Sequence, residues 1–327
     1  MKAPAFWFAD TPRARLAGVV LSPLEPITAA LTARRLRREG WAAPVPVVCC
    51  GNAGVGGAGK TTLALDLASR LTGRGLRVHC LTRGYGGRGS ATPLLVDPLK
   101  HDAAAVGDEA LLLAAIAPCW VGADRAASAR AATEAGAELL VMDDGLQNPG
   151  LKQDMPILVI DGAVGFGNRR LLPAGPLREP VRTAAARARC AVVIGEERAP
   201  VADLLPAGLP VLRATLAMDP SVRALAGRPV FAFAGIARPE KFFDSLRAET
   251  LDLVGTRGFA DHRPFRPDAL RRLREEAAAL GATLVTTPKD AVRLSPEERA
   301  GIAVAGVSLR WSDEDALGRL LDRIVAA

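Results

Sequence analysis

From Pro44 onward, short apolar runs alternate with longer stretches in which apolar residues return every three or four positions. Runs at 45–50, 77–81, 118–121, 138–142, 157–160 and 191–194 predict strands, and helical periodicity at 60–72, 103–117 and 125–135 predicts helices. Strand alternating with helix predicts an α/β fold on a mainly parallel sheet covered on both faces, with ligands at the carboxyl ends of the strands. The pattern lapses near 218–225. It resumes with strands at 230–234, 250–254, 282–286 and 304–309 and helices at 239–247 and 267–280, then closes with a helix at 313–325. The expected organisation is a basic, apolar segment at 1–40, a larger domain at 41–220 and a smaller α/β domain at 221–327, whose final helix is free to return to the larger one.

Residues 1–40 read differently. Lys2, Arg13, Arg15, Arg34, Arg35, Arg37 and Arg38 flank an apolar stretch at 16–31. Pro23, Glu25 and Pro26 interrupt it, whereas a clean membrane span needs about 20 apolar residues. No small-residue cleavage site follows a compact apolar core, so a secretory signal is not expected. Two readings remain. One is an amphipathic segment lying on an anionic bilayer, with Phe6, Trp7, Phe8 and Trp41 as interfacial anchors. The other is a helix packed on the protein's own core.

Composition changes this picture little. A chain of 327 residues exceeds the roughly 100 to 200 of a usual single domain, which favours two. Aromatic residues make up only 4%, so the core must be built mainly from Leu, Val and Ala. The net charge of +7 favours an anionic partner, whether nucleotide, nucleic acid or an acidic membrane surface. No recognition motif for nucleic acid accompanies it, and no obligate protein partner is evident. Cys49, Cys50, Cys80, Cys119 and Cys190 lack CxxC spacing and read as reduced thiols rather than a disulfide framework or zinc site.

The chemistry begins where the first strand ends. Gly54, Gly59, Lys60 and Thr61 satisfy G-x-x-x-x-G-K-[ST], between a strand and a helix, as a phosphate loop requires. Gly54, Val55, Gly56, Gly57, Ala58, Gly59, Lys60, Thr61 and Thr62 are the expected nucleotide cradle. Backbone N–H groups and the positive end of the helix would face phosphate oxygens. Lys60 would reach the β and γ phosphates of ATP, and Thr61 would offer a hydroxyl to magnesium. The larger domain thus reads as a P-loop NTPase-like nucleotide-binding core.

Further along, ELLVMDD at 138–144 is an apolar strand ending in Asp143 and Asp144, the arrangement by which a strand presents an acid to the metal. Gly145 permits a tight turn that would return Gln147 to the site. VGDEA at 106–110 puts Asp108 and Glu109 at a helix start; spacing alone favours capping there over a base for phosphoryl transfer. His262 lies in a polar loop, His79 inside a strand pattern, and His101 is expected at the surface. The loop at 168–180 is basic and broken by proline; Arg169, Arg170 and Arg178 would suit an anionic substrate.

In this order, GNAGVGGAGKTT at 51–62, LTRGYGG at 81–87, VGDEALLLA at 106–114, GAD at 122–124, MDDGLQN at 142–148, LLPAGPLREP at 171–180, AFAGIARPEKFF at 232–243, FADHRPF at 259–265 and TTPKDAVRL at 286–294 resemble the tetraacyldisaccharide 4'-kinase family, the lipid A 4'-kinases of Gram-negative bacteria. The segments span nearly the whole chain. The resemblance implies a two-domain enzyme on the cytoplasmic face of the inner membrane. It would transfer the ATP γ-phosphoryl group to the 4'-hydroxyl of tetraacyldisaccharide 1-phosphate, giving lipid IVA.

The resemblance also assigns roles. Asp108 becomes the base, overturning the capping reading, and His262 its partner from the smaller domain, brought to it when the domains close. Thr61, Asp143, Asp144 and Gln147 form the implied magnesium set, with Asp144 the favoured acid. Glu109, Asn148, Arg178 and Glu179 are the implied substrate contacts. Two positions depart from the family pattern: Leu146 and Asn148 stand in a stretch that usually reads DDGFQH, and Pro288 in one that usually reads TTEKD. The rival reading is a partitioning-type ATPase, which usually carries a second lysine early in its phosphate loop; residues 51–56 hold none. A GTPase would need an NKxD stretch, which Thr287 to Asp290 match poorly.

Overall fold

The computed structural model describes residues 4–89, 92–198, 201–236, 239–261 and 264–326. After the N-terminal helices α1 (Pro12–Leu21) and α2 (Glu25–Leu36), the chain runs β1 (Val47–Gly51), α3 (Lys60–Gly73), β2 (Val78–Thr82), β3 (Leu94–Leu95), α4 (Ala103–Val106), α5 (Asp108–Ala114), β4 (Cys119–Val121), α6 (Arg125–Glu134), β5 (Leu139–Asp143), β6 (Met155–Asp161), α7 (Val181–Arg187), β7 (Cys190–Ile194) and β8 (Val211–Met218). It continues with β9 (Pro229–Ala234), α8 (Pro239–Ala248), β10 (Asp252–Gly258), α9 (Pro267–Ala279), β11 (Thr283–Thr286), α10 (Pro288–Ala291), α11 (Pro296–Arg299), β12 (Ile302–Val304), β13 (Val307–Trp311) and α12 (Glu314–Val325).

Among the described residues, the strands form a nine-stranded sheet in the order β13-β8-β7-β6-β1-β5-β2-β4-β3 and a four-stranded sheet in the order β10-β9-β11-β12. Only the two edge pairings of the large sheet, β13 with β8 and β3 with β4, are antiparallel. Strands β1, β2, β5 and β7 are buried along their whole length, as a parallel sheet covered on both faces demands. Alternation then sends Val48 and Cys50 into one apolar layer and Val47 and Cys49 into the other. The adjacent cysteines therefore point to opposite faces, and all five cysteines are free and buried.

Strand β1 lies between β5 and β6, so the chain winds outward on one side through β2 and β4 and on the other through β7 and β8. The carboxyl end of β1 is thus the switch point, where such sheets bind ligands. Helix α3 starts there and buries Leu63, Ala64, Leu67, Ala68 and Leu71 against the sheet, at helical spacing.

The structure departs from the predicted elements at several points. The helix expected at 103–117 is cut by Gly107, whose φ of +86° no helix accommodates. The strand expected at 304–309 is two strands in different sheets: β12 ends the small sheet, while β13 crosses back and pairs with β8. Helix α12 follows it, burying Leu317, Leu320, Leu321 and Ile324 in the same layer as Leu63 and Leu67. The return thus begins before the final helix. At the N-terminus, Pro23 and Pro26 do not break the path, since each sits in the first turn of the element it starts, where no N–H is missed. Pro12–Leu36 is one helical stretch, by length and composition apolar enough to cross a membrane.

Candidate active site

The site is built on the carboxyl ends of neighbouring strands. In register, Cys50 of β1 faces Asp143 of β5, which sets the phosphate loop beside the strand-end acids. Gly59 adopts φ +87° at the helix N-cap, and a Cβ there would lie 2.7 Å from Ile194 Cδ1, so only glycine fits. Gly56 also has positive φ, +121°. The tip of the loop is anchored to the 171–180 segment: Gly54 bridges Leu177, Val55 N donates to Pro176 O at 2.8 Å, and Arg178 N donates to Ala53 O at 2.8 Å.

Within this frame the Thr61 hydroxyl donates to Asp143 Oδ2 at 2.8 Å. Lys60 Nζ donates to Gly56 O at 3.1 Å and lies 3.7 Å from Asp144 Oδ1. Asp143 is 3% exposed, and its Oδ1 has no hydrogen-bond partner among the described residues. Burial pushes its pKa up to about 6, against the Thr61 hydrogen bond and the Lys60 charge; the nearby Asp144 and Glu109 charges add to the rise. An orphaned carboxylate oxygen beside a threonine hydroxyl is the donor pair that a hard divalent cation takes. Thr61 and Asp143 fit magnesium on that ground.

Asp144, the acid favoured by resemblance, is placed otherwise. Its φ of +51° turns it out of the strand towards Lys60 and Arg178, whose Nη1 lies 3.2 Å from Oδ1. Burial raises its pKa, but Lys60 and Arg178 outweigh this and hold it below the usual carboxylate value. Gln147 is fully engaged: its Nε2 donates to Asn52 O and Glu179 Oε1, both at 2.8 Å, and its Oε1 accepts from Arg178 at 3.2 Å. Glu179 is 1% exposed and paired with Arg187 at 2.7 Å, so it braces the site from beneath. Asn148 closes a local turn, its Oδ1 accepting from Gly150 N at 2.9 Å. Leu146 packs over Gly51, where a Cβ would lie 2.4 Å from its own.

Asp108 opens α5 immediately after Gly107 and is buried. Its Oδ2 accepts from Arg293 Nη2 at 2.6 Å, and Glu109 Oε1 lies 3.2 Å from Lys289 Nζ. The two sheets are therefore already joined at the expected base. His262 lies outside the described residues; Asp261, its neighbour in sequence, is 3.9 Å from Arg293. The loop after β2, which lies against Gly107, lines a groove of about 510 Å³ with Arg83, Tyr85 and Arg88. His79 and His101 both make local contacts, accepting from Trp120 Nε1 and Asp97 N respectively.

Sequence reasoning missed two arginines. Arg293 is one. The other is Arg125, 3% exposed at the start of α6, whose guanidinium donates to Gly122 O. Burial first, then the nearby Arg83, lowers its pKa to about 10, while Asp143 and Asp144 oppose the fall. An arginine just after the N-cap Asp124 reads as an ordinary surface residue of a helix start, so the local sequence gave no sign that it would be buried.

The family model for Tetraacyldisaccharide-1-P 4'-kinase matches residues 17–326. The chain belongs to the tetraacyldisaccharide 4'-kinase family. The kinases of that name from Gluconacetobacter diazotrophicus and Rhodospirillum centenum are 59% and 54% identical to it, over 98% of this chain and 98% and 96% of theirs. A crystal structure of the "apo" form of LpxK from Aquifex aeolicus in complex with ATP is similar at a TM-score of 0.75 and 26% identity, covering 94% of this chain and 99% of that one. As a tetraacyldisaccharide 4'-kinase, the chain is an enzyme on a P-loop kinase fold.

Proposed function

We propose that this chain performs its family's reaction with the residues described above, transferring the γ-phosphoryl group of ATP to the 4'-hydroxyl of tetraacyldisaccharide 1-phosphate to form lipid IVA. The observation that carries this reading is the Thr61–Asp143 hydrogen bond, which joins the phosphate loop to the strand-end acid, with the Glu109 charge of α5 felt at Asp143. The loop N–H groups and Lys60 bind the ATP phosphates, and Thr61 and Asp143 would hold magnesium, with Asp144 and Gln147 beside them on Lys60 and Arg178. When bound, magnesium neutralises charge on the β and γ phosphates. Asp108 accepts the 4'-hydroxyl proton, with His262 as its partner, while the hydroxyl oxygen bonds to the γ phosphorus and the bond to the β-phosphate oxygen breaks. The groove lined by Arg83, Tyr85 and Arg88 and the Arg178 guanidinium would contact this acceptor.

The acceptor is a lipid, and the N-terminal helices suit a membrane surface. Glu25, Thr28 and Thr32 face the protein, bonding to Arg170, Leu171 N, Leu172 O and Arg178 O. Leu16, Val20, Leu24, Ile27 and Leu31 form an exposed apolar stripe. A stripe of this kind flanked by arginines suits adsorption to the cytoplasmic, anionic face of the inner membrane.

The test is transfer from γ-labelled ATP with magnesium to purified disaccharide 1-phosphate in mixed micelles, comparing the intact chain with Lys60→Ala. Label in the lipid at the 4'-position, lost with Lys60, is the expected result. ATP hydrolysis without labelled lipid would refute the acceptor and leave a partitioning-type ATPase to examine.

A further inference from the structure

Arg293 is 3% exposed in its side chain, yet touches three carboxylates. Its Nη1 donates to Asp290 Oδ1 at 3.0 Å and to Gly235 O at 2.8 Å, and its Nη2 donates to Asp108 Oδ2 at 2.6 Å. Asp290 is in turn fixed, its Oδ2 accepting from Gly235 N at 3.0 Å and from the Thr287 hydroxyl at 2.7 Å. The carboxyl ends of β9, β10 and β11, through Gly235, Asp261 and Asp290, thus converge on one guanidinium. A planar fork locked on one edge by Asp290 and Gly235 presents its other edge in a single direction, and Asp108 occupies it. Four residues earlier, Lys289 reaches Glu109 at 3.2 Å, so two cations from the small sheet meet two successive carboxylates at the start of α5.

A buried ion pair is a weak source of stability, because desolvation offsets the attraction; what it supplies is geometry. Asp108 also needs geometry, since it follows Gly107 at positive φ and its carboxylate must meet a hydroxyl within hydrogen-bond reach. We infer that Arg293 is a positioning residue for this kinase, holding the Asp108 carboxylate in its working orientation and tying it to the small sheet, so that the base is set only while the two sheets are apposed. The inference rests on Asp108 being the base. Arginine suits the role where lysine does not, because a single ammonium cannot bond Asp290, Gly235 and Asp108 along two fixed edges.

The experiment measures kcat, KM for ATP and melting temperature for Arg293→Lys and Arg293→Met, each alone and combined with Asp108→Asn. Arg293→Lys keeps the charge and is expected to fold, lowering kcat about tenfold with KM for ATP within about twofold, and Arg293→Met is expected to lower kcat about 100-fold. In the Asp108→Asn background, Arg293→Lys is expected to cost less than about twofold, since residues acting as a unit are not additive. An unchanged kcat for Arg293→Lys, or the same loss repeated on top of Asp108→Asn, overturns the inference while leaving the base intact. If Asp108→Asn itself keeps the parent kcat, the base assignment fails and takes the inference with it. Should Arg293→Met not fold, the Lys variant decides alone.

Discussion

His79 shows how burial at one residue becomes a pH dependence for the whole chain. It sits in β2, and its Nδ1 accepts the Trp120 indole N–H at 3.2 Å, a bond open only to the neutral ring. Burial, followed by the Arg77 charge, lowers its pKa. The folded state therefore binds fewer protons here than the unfolded chain, whose histidine titrates near about 6.5. The associated stability is present in full above that value and is lost as pH falls through the lowered folded pKa. Glutamine keeps an acceptor for Trp120 and does not titrate, so the melting temperature of His79→Gln should fall less than that of the parent between about pH 8 and about pH 5. Parallel falls would mean that His79 is not the group responsible. The phosphate loop was readable from sequence because Gly54 to Thr61 are contiguous and their roles follow from backbone geometry. Arg293 was not, because its partner Asp108 is 185 positions away and only folding joins them.

At the scale of elements, strong periodicity was legible and the junctions were not. Strands β1, β5 and β7 announce themselves as unbroken apolar runs, whereas β8 leaves alternate residues exposed and β3 has only two residues to offer. Gly107 lies inside a pattern that reads as one helix; its φ of +86°, with Tyr85 O only 2.5 Å from where a Cβ would stand, makes it the break that places Asp108 at a helix start. The N-terminal helices are the element where sequence left two readings, and in the structure one face bonds to the 168–180 loop and the other stays bare. Deleting them would disturb that loop and hence Arg178, so point changes on the bare face separate the two effects. Val20 and Ile27 are 67% and 57% exposed. The double variant Val20→Glu/Ile27→Glu should bind vesicles containing anionic lipid at least about tenfold more weakly, since each lost apolar contact is worth about 1–2 kcal/mol, with the melting temperature unmoved. Equal co-sedimentation of variant and parent would remove the membrane role from this face.

For the whole molecule, the path of the chain matters more than the division into two sheets. The small sheet is an insertion between β8 and β13, which pair antiparallel with Leu216 opposite Leu309 at the edge of the large sheet. Both ends of the insertion are therefore tied to the same edge, and the Asp108–Arg293 and Glu109–Lys289 pairs close the far side. Helix α12 completes the large sheet's layer after the insertion has been made. It is held by Arg70 with Glu314, by Arg74 with Asp322, and by its buried leucines. Tethers at both ends make independent unfolding of either sheet costly, because opening one removes the anchoring of the other. Leu320 is fully buried and belongs to the large sheet's apolar layer. Leu320→Ala should cost about 2–5 kcal/mol, the usual price of a buried leucine cavity. The loss should appear as one cooperative transition, with hydrogen-exchange protection falling by the same free energy in β1 and in β9. Protection that falls in β1 while β9 keeps its own would show two units that unfold separately, and the positioning of Asp108 from the small sheet would then have to survive a far looser connection than the chain path implies.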